Sequence, residues 1–249
     1  MIRVEQLHKS FGDAHILKGI DTVFQAGKTN LIIGQSGSGK TVFIKCMVGL
    51  FEVSSGDVFY DDINFSQLNT KQRKEIRKKI GMLFQGSALF DSMTVEGNIK
   101  FPLDMFTNWT QKEKLDRVNY CMERVSLQGA NSKFPAEISG GMMKRVGIAR
   151  SIVLKPKYLF CDEPNSGLDP RTSLKIDQLI KEITVENDIT TIINTHDMNS
   201  VMEIGEQVTY LYEGKIEWQG SNKEILKSDN VRLNDFIFAS KFLQELRKG

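Results

Sequence analysis

Gly34-Gln35-Ser36-Gly37-Ser38-Gly39-Lys40-Thr41 fits the spacing G-x-x-x-x-G-K-[ST] and directly follows the β-branched run Thr29-Asn30-Leu31-Ile32-Ile33. A strand that ends in such a loop predicts a cradle for phosphate. Glycines let the backbone turn its N–H groups inward around the anion, and a helix starting near Lys40 adds the positive end of its dipole. In that arrangement Lys40 reaches the β- and γ-phosphates of a nucleoside triphosphate, and the Thr41 hydroxyl ligates Mg²⁺. The strand before and the helix after separate this loop from a chance Gly-Ser run.

The 249 residues suffice for one large domain or a domain with a subdomain. Lys and Arg number 33 against 31 Asp and Glu, so the global field favours neither nucleic acid nor an anionic membrane surface as a general partner. The basic cluster Lys71-Gln72-Arg73-Lys74-Glu75-Ile76-Arg77-Lys78-Lys79 is the local exception and reads as a solvated helix face. Cys46, Cys121 and Cys161 lie far apart in apolar contexts without metal-ligand spacing, which predicts buried thiols in a reducing compartment. The N-terminus opens on the alternating pattern Ile2-Arg3-Val4-Glu5 with no signal-peptide core, and no apolar run is long enough to span a bilayer. A membrane-embedded part is therefore expected from another subunit.

Alternating segments near Ile2 to Leu7, Ile16 to Phe24 and Asp57 to Phe59, joined by tight turns, predict a small antiparallel sheet. Tyr158-Leu159-Phe160-Cys161-Asp162 and Thr190-Thr191-Ile192-Ile193-Asn194-Thr195 read instead as strands buried on both faces of a parallel sheet. Between them Ile176, Leu179, Ile180 and Ile183 recur at helical spacing, so a strand-helix-strand crossover and an α/β core are expected. From about Gly86 to Lys155 the strand pattern stops and helices are expected around Gln111 to Ser126 and Met142 to Leu154. A hairpin from Val208 to Gln219 turns at Glu213-Gly214, and Ser221-Asn222-Lys223-Glu224 reads as a capping box opening a helix. The tail beyond Val231 carries Phe236, Phe238, Phe242, Leu243 and Leu246, an apolar set expected to pack on its own domain.

Two further stretches carry chemistry. Asp162, at the carboxyl end of a buried strand, is positioned to hold Mg²⁺ through water, and Glu163 one residue on is positioned to polarise the water that attacks a γ-phosphate. Ile138-Ser139-Gly140-Gly141-Met142, followed by Lys144-Arg145-Val146-Gly147-Ile148-Ala149-Arg150, supplies a second anion-binding helix N-terminus in one chain. A chain with one nucleotide pocket has little use for it, unless it caps the γ-phosphate held by another copy. Two chains would then sandwich two ATP molecules.

With these motifs the chain resembles the ATP-binding cassette family, differing in the signature at Met142, where Gln is usual. The resemblance implies an α/β P-loop NTPase fold with a RecA-like parallel-sheet core, a small antiparallel β subdomain and a helical subdomain. It assigns residues 1–238 to an ABC transporter ATP-binding domain, with the helical subdomain inserted over about 86–156, and 221–249 to a C-terminal helical extension. It further implies that Gln85 is the Gln-loop residue that meets Mg²⁺ and the attacking water, that Asp169 in Ser166-Gly167-Leu168-Asp169 communicates across the dimer, that His196 is the switch histidine on the γ-phosphate, and that Phe11 stacks on adenine. Glu163 would be the catalytic base. The family's Gln at that position is not the phosphate-capping donor, so its replacement by Met142 bears little on the hydrolysis that the resemblance implies.

Within the family, Ser87-Ala88-Leu89-Phe90-Asp91-Ser92-Met93-Thr94-Val95 and Pro102-Leu103, together with Ser139-Gly140-Gly141-Met142, are most similar to the ATPases of Mla-type phospholipid transporters (MlaF-like). That likeness implies a homodimer on the cytoplasmic face of the inner membrane, held by an integral membrane permease (MlaE-like) with a periplasmic lipid-binding subunit as a further partner. The alternatives are a cassette that performs no transport, acting in iron-sulfur assembly or cell division, a chromosome- or ribosome-associated ATPase, and a nucleotide-gated module without turnover. The second needs long coiled coils or two cassettes in tandem, which this sequence does not carry, and the last is disfavoured by the presence of Glu163, Gln85 and His196.

Overall fold

Strand β3 (Thr29–Ile33) is buried at every position, three aliphatic residues following Thr29 and Asn30, whose polar side chains are hydrogen-bonded to Ile204 O and to Gln25. It runs into the phosphate-loop sequence and helix α1 (Lys40–Met47). The computed structural model describes residues 1–238, and the chain divides into two units, Met1–Gln67 with the chain from Ile192 onward, and Leu68–Thr191.

In the first unit β3 pairs in parallel with β9 (Gln207–Tyr212), Leu31 opposite Val208 and Ile33 opposite Tyr210. Strand β10 (Lys215–Gly220) returns antiparallel along β9 through Glu213 and Gly214, whose φ values of 47° and 79° give the left-handed two-residue turn that suits a twisted hairpin. A separate antiparallel sheet has the order β2-β1-β4-β5, built from β1 (Ile2–Phe11), β2 (Ala14–Phe24), β4 (Ser55–Tyr60) and β5 (Ile63–Asn64). Alternation along β1 buries Ile2 and Val4, and a shift of phase after them buries Leu7, each worth about 1.5–3 kcal/mol by removal from water. The register breaks between Val4 and Leu7 against β2 and between Glu5 and His8 against β4, with Gln6 at φ 44°. Gly56 fills the notch opposite this bulge. Its φ is +85°, and a Cβ there would sit 2.1 Å from the Gln6 carbonyl oxygen.

Helix α7 (Met198–Ile204) and helix α8 (Val231–Ile237) complete this unit. Asn230 caps α8 by accepting from Leu233 N at 2.8 Å, Leu233 and Ile237 are buried, and Phe236 stacks on Tyr210 at 5.3 Å between centroids. To that extent the apolar tail packs on its own unit. Phe242, Leu243 and Leu246 lie outside the described residues. The Ser221–Glu224 box corrects one expectation: Glu224 accepts from both Ser221 N and Ser221 Oγ, yet only a 3₁₀ turn over Ile225–Lys227 follows, because Ser228 goes extended at ψ 137°. The α-helix starts later, behind the Asn230 cap.

In the second unit β6 (Ile80–Leu83) and β7 (Tyr158–Asp162) pair in parallel, Ile80 opposite Tyr158 and Leu83 opposite Cys161. Helix α2 (Thr70–Arg77) carries the basic cluster and buries Ile76 alone, as expected of a solvated face. Helix α6 (Pro170–Glu186) buries Ile176, Ile180 and Ile183, and leads into β8 (Thr190–Thr195), buried throughout, which carries the chain back toward the first unit. Helices α4 (Gln111–Arg124) and α5 (Gly140–Ile152) occupy the expected stretches and pack on each other and on α3 (Val95–Phe106). Helix α3 had no clear periodic signal because Gly97 and Pro102 interrupt it. Thr94 caps it, and the buried Asn98 amide accepts from Phe90 N and donates to the carbonyls of Phe90, Met93 and Thr94 at 2.8–3.1 Å. That pins the turn before α3. The three thiols are buried and free; burial pushes Cys46 and Cys121 up to about 11 and Cys161 further still, so none is a thiolate at neutral pH.

The notch predicts a contrast between two glycines. Gly56→Ala should cost about 3 kcal/mol or more, because strain at positive φ adds to a backbone clash. Gly12→Ala, at φ +56° with nothing within 4 Å of its Cβ, should cost only about 1 kcal/mol. Urea unfolding midpoints of the two variants compare them; equal losses would remove the clash from the account.

Candidate functional site

The first unit builds a phosphate cradle. Gly34, Gly37 and Gly39 have φ values of 152°, 80° and 105°. Gly34 also passes where no side chain fits, since a Cβ would fall 2.3 Å from Leu211 O and 2.8 Å from Ser38 Oγ. Gly39 begins α1 without any side-chain cap, which leaves the amide dipoles of the first turn for an anion. Lys40 is buried, with Nζ donating to Gly34 O at 2.8 Å and Gln35 O at 3.0 Å, so its charge lies folded over the loop. Ser38 Oγ is buried with no hydrogen-bond partner, an orphaned polar atom of the kind a ligand satisfies. The Thr41 hydroxyl accepts from Asn194 Nδ2 at 3.3 Å.

Phe11 ends β1 with its ring 45% exposed, edge-on to Phe51 at 5.2 Å and with Lys9 Nζ 4.5 Å from its centroid. It is therefore a supported surface ring and not a core aromatic, which suits stacking on a planar base. His196 is exposed just past β8, and the next residue, Asp197, caps α7 by accepting from Asn199 N at 2.8 Å.

The second unit gathers the remaining candidates. Asp162 ends β7 almost fully buried, and Glu163 turns out of the strand at φ 48°. Gln85, two residues past β6, donates from Nε2 to Glu163 Oε2 at 2.9 Å. Lys144 on α5 is buried and donates to Gln85 O and, at 3.4 Å, to Glu163 O. Burial pushes the pKa of Lys144 down, with Cys161, Glu163 and Asp162 opposing that shift. Ser139 caps α5, accepting from Met142 N at 3.3 Å, with Gly140 exposed and Gly141 half-buried behind it. Asp169 caps α6, accepting from Thr172 N and from the Thr172 hydroxyl, and these bonds hold its carboxyl below the usual range.

Four residues at these positions had no role assigned from the sequence: Asn194, Phe51, Lys144 and Arg150. Asn194 could have been flagged as the amide in an otherwise apolar and β-branched strand. The other three touch their partners across long chain separations, which no local pattern reports. Among the described residues no three of His, Cys, Asp and Glu cluster as a self-sufficient metal site.

A family model described as ABC transporter matches residues 17–166. The probable ribonucleotide transport ATP-binding protein mkl of Mycobacterium leprae is 37% identical over 236 residues, 95% of this chain and 68% of that protein. The methionine import ATP-binding protein MetN of Campylobacter jejuni is 34% identical over 263 residues, covering 98% of this chain and 78% of its own length. The chain spans about two thirds of the mycobacterial relatives, 68% and 66% in two of them. Among solved structures, cbiO1 from Clostridium perfringens superposes with a TM-score of 0.85 at 30% identity, covering 98% of both chains. The dimeric post-hydrolysis state of the ATP-binding cassette MJ0796, bound to ADP and Pi, gives 0.82 at 29% identity over 89% of this chain and 99% of that one. A phosphate cradle after a buried strand, a carboxylate-amide pair after another and these matches together place the chain in the ABC transporter family, as an ATP-binding ATPase cassette.

Proposed function

We propose that two copies of this chain close around two ATP molecules and drive a separate membrane permease. The observation that carries the reading is the Gln85 amide on the Glu163 carboxylate at the end of β7, an acceptor fixed where a general base is needed. Lys40 and the amides of Gly34 to Thr41 hold the β- and γ-phosphates, Phe11 stacks on adenine, and His196 contacts the γ-phosphate. Glu163 takes the proton of the attacking water, which Gln85 helps orient. Thr41, Gln85 and Asp162 would offer the hard oxygen donors that suit Mg²⁺. Bound there, Mg²⁺ supplies neutralisation of phosphate charge. Ser139, Gly140 and Gly141 cap the γ-phosphate held by the other copy, and Asp169 lies at the dimer contact.

The permease docks at Gln85 to Val95. Phe90 is 40% exposed, leans on Phe101 at 4.8 Å and has both of its backbone polar groups bonded to Asn98, so it presents a ring on a fixed stalk. Among the described residues no helix is long and apolar enough to cross a membrane. We place the protein peripherally on the cytoplasmic face of the inner membrane. The likeness of Ser87–Val95 to Mla-type ATPases supports phospholipid as the cargo, with an MlaE-like permease and a periplasmic lipid-binding subunit. A second reading, small-molecule import, is favoured by the names of the mkl and MetN relatives. Purifying the chain with its membrane partner, reconstituting it and following labelled phospholipid against labelled nucleotide and methionine separates the two.

Three outcomes test the mechanism. Glu163→Gln should keep ATP binding and lower turnover by about 100-fold or more, accumulating an ATP-bound dimer; near wild-type turnover would remove Glu163 from its role. Ser139→Arg should bind nucleotide without closing, and mixed with Lys40→Ala it should regain one working site, from Lys40 of one chain and Ser139 of the other. A dead mixture of folded parents would place the signature's action within one subunit. Phe90→Ala should weaken co-purification with the permease by roughly 2 kcal/mol while leaving the melting temperature within a few degrees; the opposite pattern would make the ring a core residue.

A further inference from the structure

Helix α5 sends three cations into main-chain oxygen atoms rather than to carboxylates: Arg145 meets Val125 O and Ser126 O, and the other two meet the segment after β6. Lys144 Nζ donates to Gln85 O and Glu163 O, and the Arg150 guanidinium donates to Ser87 O and, at 2.8 Å, to Ala88 O. Between them Gly147 lies so close to the Gln loop that a Cβ would meet Leu83 Cδ1 at 2.6 Å and Ser87 Cβ at 3.4 Å. The turns these cations hold are strained: Ser87, Ala88 and Glu163 sit at φ 60°, 47° and 48°. Left-handed conformations of non-glycine residues cost about 1–2 kcal/mol each and persist only when the surroundings hold them.

The two carbonyls on Lys144 belong to the same two residues whose side chains meet at 2.9 Å. One buried ammonium thus fixes both main chains of the pair, and the bond between their side chains has little freedom left. Lysine suits this place because a single nitrogen carries three donors, whereas an apolar side chain of the same length carries none. Ser166 N, at 3.2 Å from the same Glu163 oxygen, supports that side from within the turn.

We infer that Lys144 is a positioning residue for ATP hydrolysis: bound to the carbonyl oxygens of Gln85 and Glu163, it sets the geometry in which the Gln85 amide holds the Glu163 carboxylate toward the attacking water. This rests on the reading of Glu163 as general base. Lys144 takes no part in binding ATP, so its loss acts on turnover and spares affinity.

The full chain carries the test through Lys144→Met, Lys144→Arg, Glu163→Gln, Gln85→Ala and the double variant Lys144→Met/Gln85→Ala. Steady-state hydrolysis is measured beside affinity for a fluorescent ATP analogue. Lys144→Met should lower kcat by about 30-fold or more with KM and nucleotide Kd within about threefold, and Lys144→Arg, which keeps several donors, should recover to within about fivefold of wild type. Adding Lys144→Met to Gln85→Ala should cost less than about threefold, because the pair it positions is already gone. Turnover of Lys144→Met within threefold of wild type overturns the inference, as does full additivity with Gln85→Ala. If Lys144→Met does not fold, Lys144→Gln carries the same comparison. Wild-type turnover in Glu163→Gln defeats the base assignment and this inference together. Loss there with wild-type turnover in Lys144→Met defeats the inference alone.

Discussion

A triphosphate brings several negative charges to a loop whose only cation is Lys40, so main-chain N–H groups must supply most of the binding. They converge on one point only where the backbone can take left-handed turns and approach closely. Gly34 shows the constraint most sharply, with Leu211 O occupying the space of the missing Cβ. Much else follows from it. The loop must leave a strand that cannot shift, which β3 satisfies by being buried at every position, and it must enter a helix whose first turn is left uncapped, which α1 is. Lys40, bonded to Gly34 O and Gln35 O, holds the loop closed on itself before any phosphate arrives.

This half of the molecule was legible in the sequence because its causes are local. Glycine spacing, a β-branched run and a following helix all fall within a dozen residues, and the α/β fold class follows from the same kind of signal in β7 and β8. The antiparallel sheet was visible as alternation, though β1 runs on to Phe11, β2 begins at Ala14 and β4 spans Ser55–Tyr60, since pairing across β1 holds residues that alternation alone does not mark. Where tertiary contacts decide, local reading failed. Helix α3 carries Gly97 and Pro102 and is held by Asn98 reaching back to Phe90, Met93 and Thr94. Ser221 to Glu224 has the composition of a cap but leads into a single 3₁₀ turn.

The unit that carries Asp162 and Glu163 follows a different rule. Aspartate at a strand end and glutamate after it are readable, but the backbone strain at Glu163 is not, nor is the cation that answers it. Elsewhere among the described residues the same conformation falls at Gln6 in the β1 bulge, at Asp61 and Glu213 in hairpin turns, and at Ser126, Lys155 and Asp188 just past helix ends, whereas Ser87, Ala88 and Glu163 lie beside candidate chemistry. At those three positions the compensating bonds come from Lys144 and Arg150, fifty-nine and sixty-two or sixty-three positions away from the Gln-loop oxygens they meet. No periodicity announces such pairs.

Helix α5 therefore has two ends of different character. Its N-terminus presents the Ser139 cap and two glycines, while its body grips the Gln loop through Lys144, Gly147 and Arg150. A helix of thirteen residues is about 20 Å of stiff rod, and over that length it moves as one body before its hydrogen bonds yield. Through Lys144 the carbonyls of Gln85 and Glu163 are bonded to the same rod that carries the Ser139 cap. Such a link needs no chain of separate side-chain steps, because both ends belong to one element. A shift of the helix would be resisted by the bonds of buried Lys144 and half-buried Arg150, and differential bonding of that kind is what allows one site to bias another.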